Sequence, residues 1–442
     1  MRLPGVDRGY HFRMRWLRVL YLANGAIYGT FYAFVPVVLT WHGFDAPLVA
    51  ICGSLGSLAF WLVLPAWGHL GDAVVGTRRA LQLAAVPAAV LCLGLALPLP
   101  VLPILLLCVA GSATGGAIGA LTDAQAVSGL ADPQREYGRL RMLGSLGAGV
   151  FAILSGVLYD RTGYIVAPVA GALATIAIAF IAVRIPQGHG GRAAAETGST
   201  SVGSREAVPA AGHGRFGSVS DALNGRPRLI AILVGCLGIF IGIMGSGTFI
   251  TLRLQALGGG PSTIGFANGL GASAEVPGMI LASWLIVRYG IRPVLGLCAL
   301  GLALVFGTWA LVTEPLLITA TKMAAGLFFA GVTVSFVITM ATILPQRLIS
   351  TGQTLYQSVA FGAAAVLSNL AGAFIYKLGG TEVVFWFLAA ATAVGGVISI
   401  LALPAHTRVS RVTVEPSAVE LGAGGPVVVE PGAIEPRPVV GS

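Results

Sequence analysis

Four ionisable side chains stand inside otherwise apolar stretches: Asp123, Arg141, Glu275 and Lys322. Charges in such surroundings are expensive to keep, so each is a functional candidate by default. Asp123 and Arg141 lie nine residues either side of Asp132, and Asp132–Pro133 reads as a turn. In an antiparallel helical hairpin that spacing sets the two at one height. A carboxylate beside a planar guanidinium offers acceptors and paired donors, which suits sugar hydroxyls or an organic acid. The same pair also reads as a structural salt bridge. Ser145, one turn beyond Arg141, shares its face. Glu275, in "LGASAEVPGMILASW" (270–284), sits near mid-depth, too deep to reach water easily. A carboxyl group alternately buried and wetted can take up and release a proton, the requirement for proton coupling. It equally reads as a hydrogen-bonded structural carboxyl. Pro277 leaves a carbonyl one turn upstream without its N–H partner and bends the helix. Lys322 lies six residues into its helix and either reaches toward Glu275 or snorkels to the outer interface.

The elements that must position these residues follow from composition. The chain has 442 residues, 56% of them hydrophobic and 10% charged, with mean hydropathy +0.87. A soluble domain carries about 25% charged residues, so this composition implies an integral membrane protein. Spans need about 20 predominantly apolar residues. Twelve stretches qualify: 17–40, 46–69, 80–98, 101–130, 138–159, 165–184, 229–252, 263–287, 293–313, 316–345, 353–377 and 383–404. Residues 185–228 are small and polar and read as a flexible linker, and 405–442 as a disordered tail. The expected domains are therefore a bundle at 1–184, the linker, a bundle at 229–404 and the tail. No short apolar run with a small-residue cleavage site precedes the first span, so no removed signal peptide is expected. With both termini on one side, that side holds 22 of the 26 Lys and Arg, and the other holds Arg161, Arg253 and Lys377. The bias places both termini and the linker in the cytoplasm. The net charge of +9 reads as topology rather than nucleic-acid binding. The five cysteines lie in apolar runs with no CxxC pair and read as packing residues, with neither disulfide framework nor metal site.

Four turns repeat a pattern of small residue, apolar residues, polar pair and Gly: "GHLGDAVVG" from Gly68, "GVLYDRTG" from Gly156, "SWLIVRYG" from Ser283 and "GAFIYKLG" from Gly372. The steps are 88 residues within the first half and 89 within the second, and 215 and 216 between halves. This predicts an all-α membrane protein of 12 transmembrane helices in two six-helix bundles. Each bundle would comprise two inverted three-helix repeats, with the solute site near the midplane between halves. Gln357 lies 216 residues after Arg141 and is its counterpart in the second half. Asn24 and Tyr28, one turn apart on the first span, are further cavity candidates, as are Asn268 and Asn369. For each of these, hydrogen bonding between helices is the competing role.

On these features the chain resembles the major facilitator superfamily. Gly68, Leu70, Asp72, Gly76, Arg78 and Arg79 are similar to its signature loop, G-x-L-x-D-R-x-G-R-R. Here Asp72 and Gly76 are four apart rather than three, and Ala73 replaces the usual Arg. The resemblance implies a conformational latch at Gly68, Asp72, Gly76, Arg78 and Arg79, the Asp capping or pairing with a neighbouring helix end. "DAQAVSGL" (123–130), "YGRLRMLGSLGAG" (137–149), "SAEVPGM" (273–279) and "GQTLYQSVAFG" (352–362) are similar to the branch of oligosaccharide–proton symporters and phenylpropionate-permease-like relatives. In that branch a carboxylate–Arg pair placed like Asp123 and Arg141 binds the sugar. Its proton relay also uses an Arg and a His–Glu set that would fall near Phe306 and Met323–Gly326, none of them ionisable. Coupling must then run through Glu275, Lys322 or Asp123.

The expected function is secondary transport of a small polar solute (sugar, nucleoside or organic acid) across the plasma or inner membrane, by alternating access and proton-coupled symport. Its partners would be the solute, protons and the bilayer, with no cofactor and no nucleic acid, in a monomer. The alternative is a proton-coupled exporter of drugs or amphipathic metabolites. Drug antiporters of the superfamily carry Gly-Pro in the fifth span, and "GSLGAGVFAILSGVLYD" has no Pro. A receptor or lipid-scrambling role ranks last. No nucleophile–base pair, metal cluster or phosphate loop suggests an enzyme.

Overall fold

In lipid the backbone must satisfy its own hydrogen bonds, which helices do within a single segment. The computed structural model describes residues 8–127, 130, 133–185, 223–345 and 348–404. Among these no strand occurs. The tail at 405–442, nearly all of the linker at 185–228 and Asp132 of the inferred turn lie outside the described residues. The first half comprises α1 (Arg8–Ile27), α2 (Val35–Trp41), α3 (Ala46–His69), α4 (Thr77–Gly94), α5 (Val101–Gly115), α6 (Ala117–Val127), α7 (Pro133–Thr162) and α8 (Val166–Arg184). The second comprises α9 (Pro227–Ala256), α10 (Pro261–Tyr289), α11 (Ile291–Leu311), α12 (Pro315–Ile343), α13 (Ile349–Gln357) and α14 (Ala364–Ala402). Four of the long helices begin on proline, whose missing N–H costs nothing in a first turn. Asp45 caps α3 by accepting from the Leu48 N–H at 2.9 Å.

Ten stretches are long and apolar enough to cross a bilayer, two fewer than the expected twelve. The difference has two causes. Residues 351–402 form one stretch, although Gly379 and Gly380 leave helical geometry inside it and divide it into two rods. The other is α4, which opens on Thr77, Arg78 and Arg79 and falls outside the ten. With α4 counted and the long stretch divided, the described residues give the twelve rods of the two-bundle fold.

Among the described residues three π-helical segments interrupt this pattern, at Tyr28–Tyr32, Leu70–Val74 and Ser358–Ala363. A π turn holds one residue more than an α turn and often marks a functional site. The second segment absorbs the extra residue between Asp72 and Gly76, with the Val75 N–H bonded to the Leu70 carbonyl at 3.0 Å. The loop after it therefore keeps its form. Gly76 has φ 84° and ψ 148°, and Gly290, at the matching turn of the second half, has φ 91° and ψ 168°. Side chains avoid this region, so both turns require glycine.

One end of the bundle gathers the starts of α1 and α7 and the end of α8. Tyr10 donates to Glu136 at 2.6 Å, and the Arg184 guanidinium lies 5.8 Å from the Trp16 ring centroid. At the far end the His42 ring bonds the Leu95 carbonyl at 2.8 Å. Arg253, counted at this end, is buried there. Its guanidinium pairs with Glu382 at 2.9 Å and donates to Thr381 and to the Ala310 and Val312 carbonyls at 3.2–3.4 Å. It thus joins α9, α14 and the end of α11. Removing it strands those carbonyls, and a lost charged hydrogen bond costs about 1.5–3 kcal/mol. Arg253→Ala should lower the thermal unfolding temperature in detergent by several degrees, while Lys377→Ala, at an exposed turn, leaves it unchanged.

Candidate functional site

Close helix contacts decide where the polar side chains go. Gly25 and Gly29 let α1 approach α7; a Cβ on Gly29 would stand 2.5 Å from the Ala148 carbonyl oxygen. The π turn that starts at Tyr28 has its Thr30 carbonyl bonded by the buried Tyr159 hydroxyl at 2.8 Å. Between the halves, α7 and α10 meet through glycine as well. A Cβ on Gly269 would lie 2.8 Å from the Gly149 carbonyl oxygen, and one on Gly156 would lie 2.7 Å from that of Pro261. Spacing this tight leaves no room for larger residues and holds the neighbouring polar groups in register.

Asp123 and Arg141 do come together. Arg141 Nη1 lies 3.4 Å from Asp123 Oδ2, with the side chains 48% and 34% exposed. Two tyrosines that spacing alone did not single out complete the group. Tyr21, buried on α1, donates to Asp123 Oδ1 at 2.6 Å. Arg141 Nη1 also donates to the Tyr137 hydroxyl at 3.1 Å. The signal for Tyr137 was its place one turn before Arg141; Tyr21 had no such signal, because its contact joins separate helices. Tyr28 is half exposed and close enough to feel both charges, and its ring meets Tyr32 at 5.1 Å. Asn24, one turn earlier, is half-buried.

Ser145 links this group to the other half, donating to Glu275 Oε2 at 3.2 Å. Glu275 is half-buried inside α10, within the field of both Arg141 and Lys322. Pro277 lies inside the same helix. Lys322 departs from one expectation, a close pairing with Glu275. Among the described residues no ion pair within 4.0 Å joins it to Glu275. Instead its ammonium sits 5.3 Å from the Trp309 ring centroid, a cation–π contact, and its stem runs past Gly271. The Trp309 indole N–H is held by Thr321 at 2.8 Å.

Gln357 is exposed at the start of the third π segment, while its neighbour Tyr356 stacks on Phe336 at 5.7 Å. Asn268 and Asn369 depart from the expected helix-to-helix bonding, since each donates to a carbonyl of its own helix, Ile264 and Ala365. In the loop expected to act as a latch, Asp72 is exposed, Arg78 half-buried and Arg79 exposed, and no ion pair joins them among the described residues. Gly68 faces open space, whereas Gly71 is buried with Leu121, 3.3 Å from where its Cβ would be. A separate groove of about 320 Å³ is lined by Met14, Arg18, Glu136, Arg139, Leu140 and Leu143, and so holds none of the four intramembrane charges.

Further bonds between the halves lie beyond this group, toward the far end. Ser54 donates to the Val366 carbonyl at 2.7 Å, and Gln255 to Thr40 at 3.1 Å. Asp160, at the end of α7, accepts from the backbone N–H of Ser262 at 3.2 Å and from its hydroxyl. It thereby caps the first turn of α10 across the interface.

Known proteins share this fold. The model of the MFS_1 like family matches residues 14–387. The maltose permease of Geobacillus stearothermophilus is 27% identical over 349 residues, covering 79% of this chain and 84% of the permease. Among solved structures, a point mutant of the nucleoside transporter NupG superposes with a TM-score of 0.71 at 15% identity, covering 88% of this chain and 100% of that one. A D-xylose–proton symporter superposes with a TM-score of 0.65 at 12% identity, covering 89% and 97%. The chain belongs to the MFS_1 like family of the major facilitator superfamily, and is a multi-pass membrane protein that works as a secondary transporter of small solutes.

Proposed function

We propose that this transporter carries a neutral polyhydroxylated solute, a sugar or nucleoside, into the cell together with protons, by alternating access. The observation that carries this reading is the Ser145–Glu275 hydrogen bond at 3.2 Å. It ties a carboxyl group in one half to the helix that bears Arg141 in the other. A carboxylate can only accept from Ser145, whereas a carboxylic acid can also donate. Proton uptake at Glu275 therefore changes the bond between the halves one turn away from the solute pair. The intramembrane charges favour a neutral cargo, because Asp123 and Glu275 balance Arg141 and Lys322. An organic anion would have to compete with two carboxylates. The likeness to a maltose permease supports a sugar-like cargo.

Alternation is supported by where the halves touch. Glycine contacts, the Asp160 cap and the Ser54 and Thr40 bonds lie toward the far end. Within the polar group itself, Tyr28 and Arg141 keep about half their surface open. In this reading the arginine-rich end faces the cytoplasm of a cell whose plasma membrane the protein spans, and the state is inward-open. The latch at Gly68, Asp72, Gly76, Arg78 and Arg79 is unmade here and would close in the opposite state. In α7 the only proline is its first residue, Pro133, which weighs against the exporter reading.

Uptake of radiolabelled maltose, xylose and uridine into proteoliposomes tests the function. An acid-outside gradient should drive accumulation of one of them above the external level, and a protonophore should abolish it. Equal uptake with and without the gradient would refute coupling. Glu275→Gln should lower gradient-driven accumulation about tenfold, as loss of a charged hydrogen bond implies, while solute exchange at equal pH persists. The alternation has its own readout. Losing a helix cap costs about 1 kcal/mol, roughly a fivefold change in an equilibrium. Asp160→Ala should therefore raise thiol labelling of Ala152→Cys, buried beside α10, about fivefold. Unchanged labelling would sink the far-end seal.

A further inference from the structure

We infer that Tyr21 and Tyr137 are positioning residues that hold the Asp123–Arg141 pair partly open, so that its polar edges stay available to a solute. The inference rests on reading that pair as the solute site. An unrestrained carboxylate and guanidinium favour two parallel hydrogen bonds at about 2.7–2.9 Å. Here a single contact is made, and it is long, at 3.4 Å. Each charge is held by a phenol more closely than by its ionic partner. Asp123 Oδ1 receives the Tyr21 hydroxyl at 2.6 Å, and Arg141 Nη1 reaches the Tyr137 oxygen at 3.1 Å.

The two phenols act from different directions. Tyr21 is 2% exposed on α1, where the glycine contacts with α7 fix the helix spacing, so its hydroxyl is anchored. It draws the carboxylate toward α1 and occupies the oxygen that a second ionic bond would need. Tyr137 lies one turn before Arg141 on α7, and its hydroxyl accepts from the guanidinium at 3.1 Å. It occupies an N–H of Arg141 that would otherwise be free for Asp123 alone. Neither phenol carries charge, so the pair is partly satisfied without being neutralised. A sugar hydroxyl is chemically the same group as the phenol it would replace: it accepts from Arg141 and donates to Asp123. Exchanging one hydroxyl for another costs little, whereas opening a closed bidentate pair forfeits two charged hydrogen bonds at once.

Removing a phenol should let the pair close, which is opposite to the usual effect of losing a hydrogen bond. Tyr21→Phe and Tyr137→Phe should raise the KM for the transported sugar or nucleoside about tenfold and leave the maximal rate within about twofold. Their thermal unfolding temperatures without solute should stay level or rise, and this readout needs no knowledge of the cargo. A merely structural phenol would lower the unfolding temperature and leave KM unchanged, and that result in both variants overturns the inference. In the Asp123→Asn background, where no ion pair can close, Tyr21→Phe should add nothing further to KM, and an additive effect also overturns it. Asp123→Asn and Arg141→Lys separate the two levels. If both leave KM unchanged, the pair is not the solute site and the inference falls with that reading. If they raise KM while the phenylalanine variants do not, the site stands and the positioning role is wrong.

Discussion

The closeness of α7 to α10 constrains everything between the two halves. Gly149, Gly156, Gly265 and Gly269 bring the two backbones close, with Ser273 packed over Gly149 and Ile153 over Gly269. Such packing is favourable in lipid because small residues maximise dispersion contacts without burying polar groups. It also has a mechanical consequence. Arg141 and Ser145 lie on the same helix as Gly149 and Gly156, and Glu275 follows Gly269 on the partner. Any movement that parts the glycine seam displaces the polar group with it, since both belong to the same rods. The seam is therefore more than a structural joint: it fixes the distance at which Ser145 meets Glu275.

The interruptions in the helices carry a second lesson. A π segment starts at Tyr28, another begins just after Gln357, and the third contains Asp72. Each coincides with a residue that the sequence marks as a candidate for other reasons. Extra residues in helices survive where neighbours repay the lost backbone bonding, as Tyr159 does at Thr30. In the latch region the π turn also explains how a signature with one residue too many still reaches Gly76 in its glycine-only conformation. An insertion that looks disruptive in a linear pattern is locally absorbed.

How much was legible depended on whether distance along the chain could stand in for distance in space. Asp123 and Arg141 were placed together by counting, because a tight hairpin converts equal offsets into equal heights. The twelve-rod plan was legible for a related reason: lipid demands apolar stretches of one length, and the repeated turns mark their ends. Counting left Lys322 open, because its flexible stem had more than one destination in range. The indole of Trp309 supplied a cationic site without requiring an ion pair in apolar surroundings. Counting gave the end at which Arg253 lies but not its partners, Glu382 and two carbonyls from another helix and its cap.

By itself the sequence determined the membrane setting, the repeated turns and the two-bundle plan, because these follow from composition and from the fixed rise of a helix. Only the tertiary structure decided which side chains share a hydrogen bond. Tyr21 and Asp123 are 102 residues apart, and Ser145 and Glu275 are 130 apart. Their meeting depends on helix rotation and on glycine contacts set to a few tenths of an ångström. No periodicity records those quantities, since every helix face in an apolar span looks alike until a neighbour packs against it.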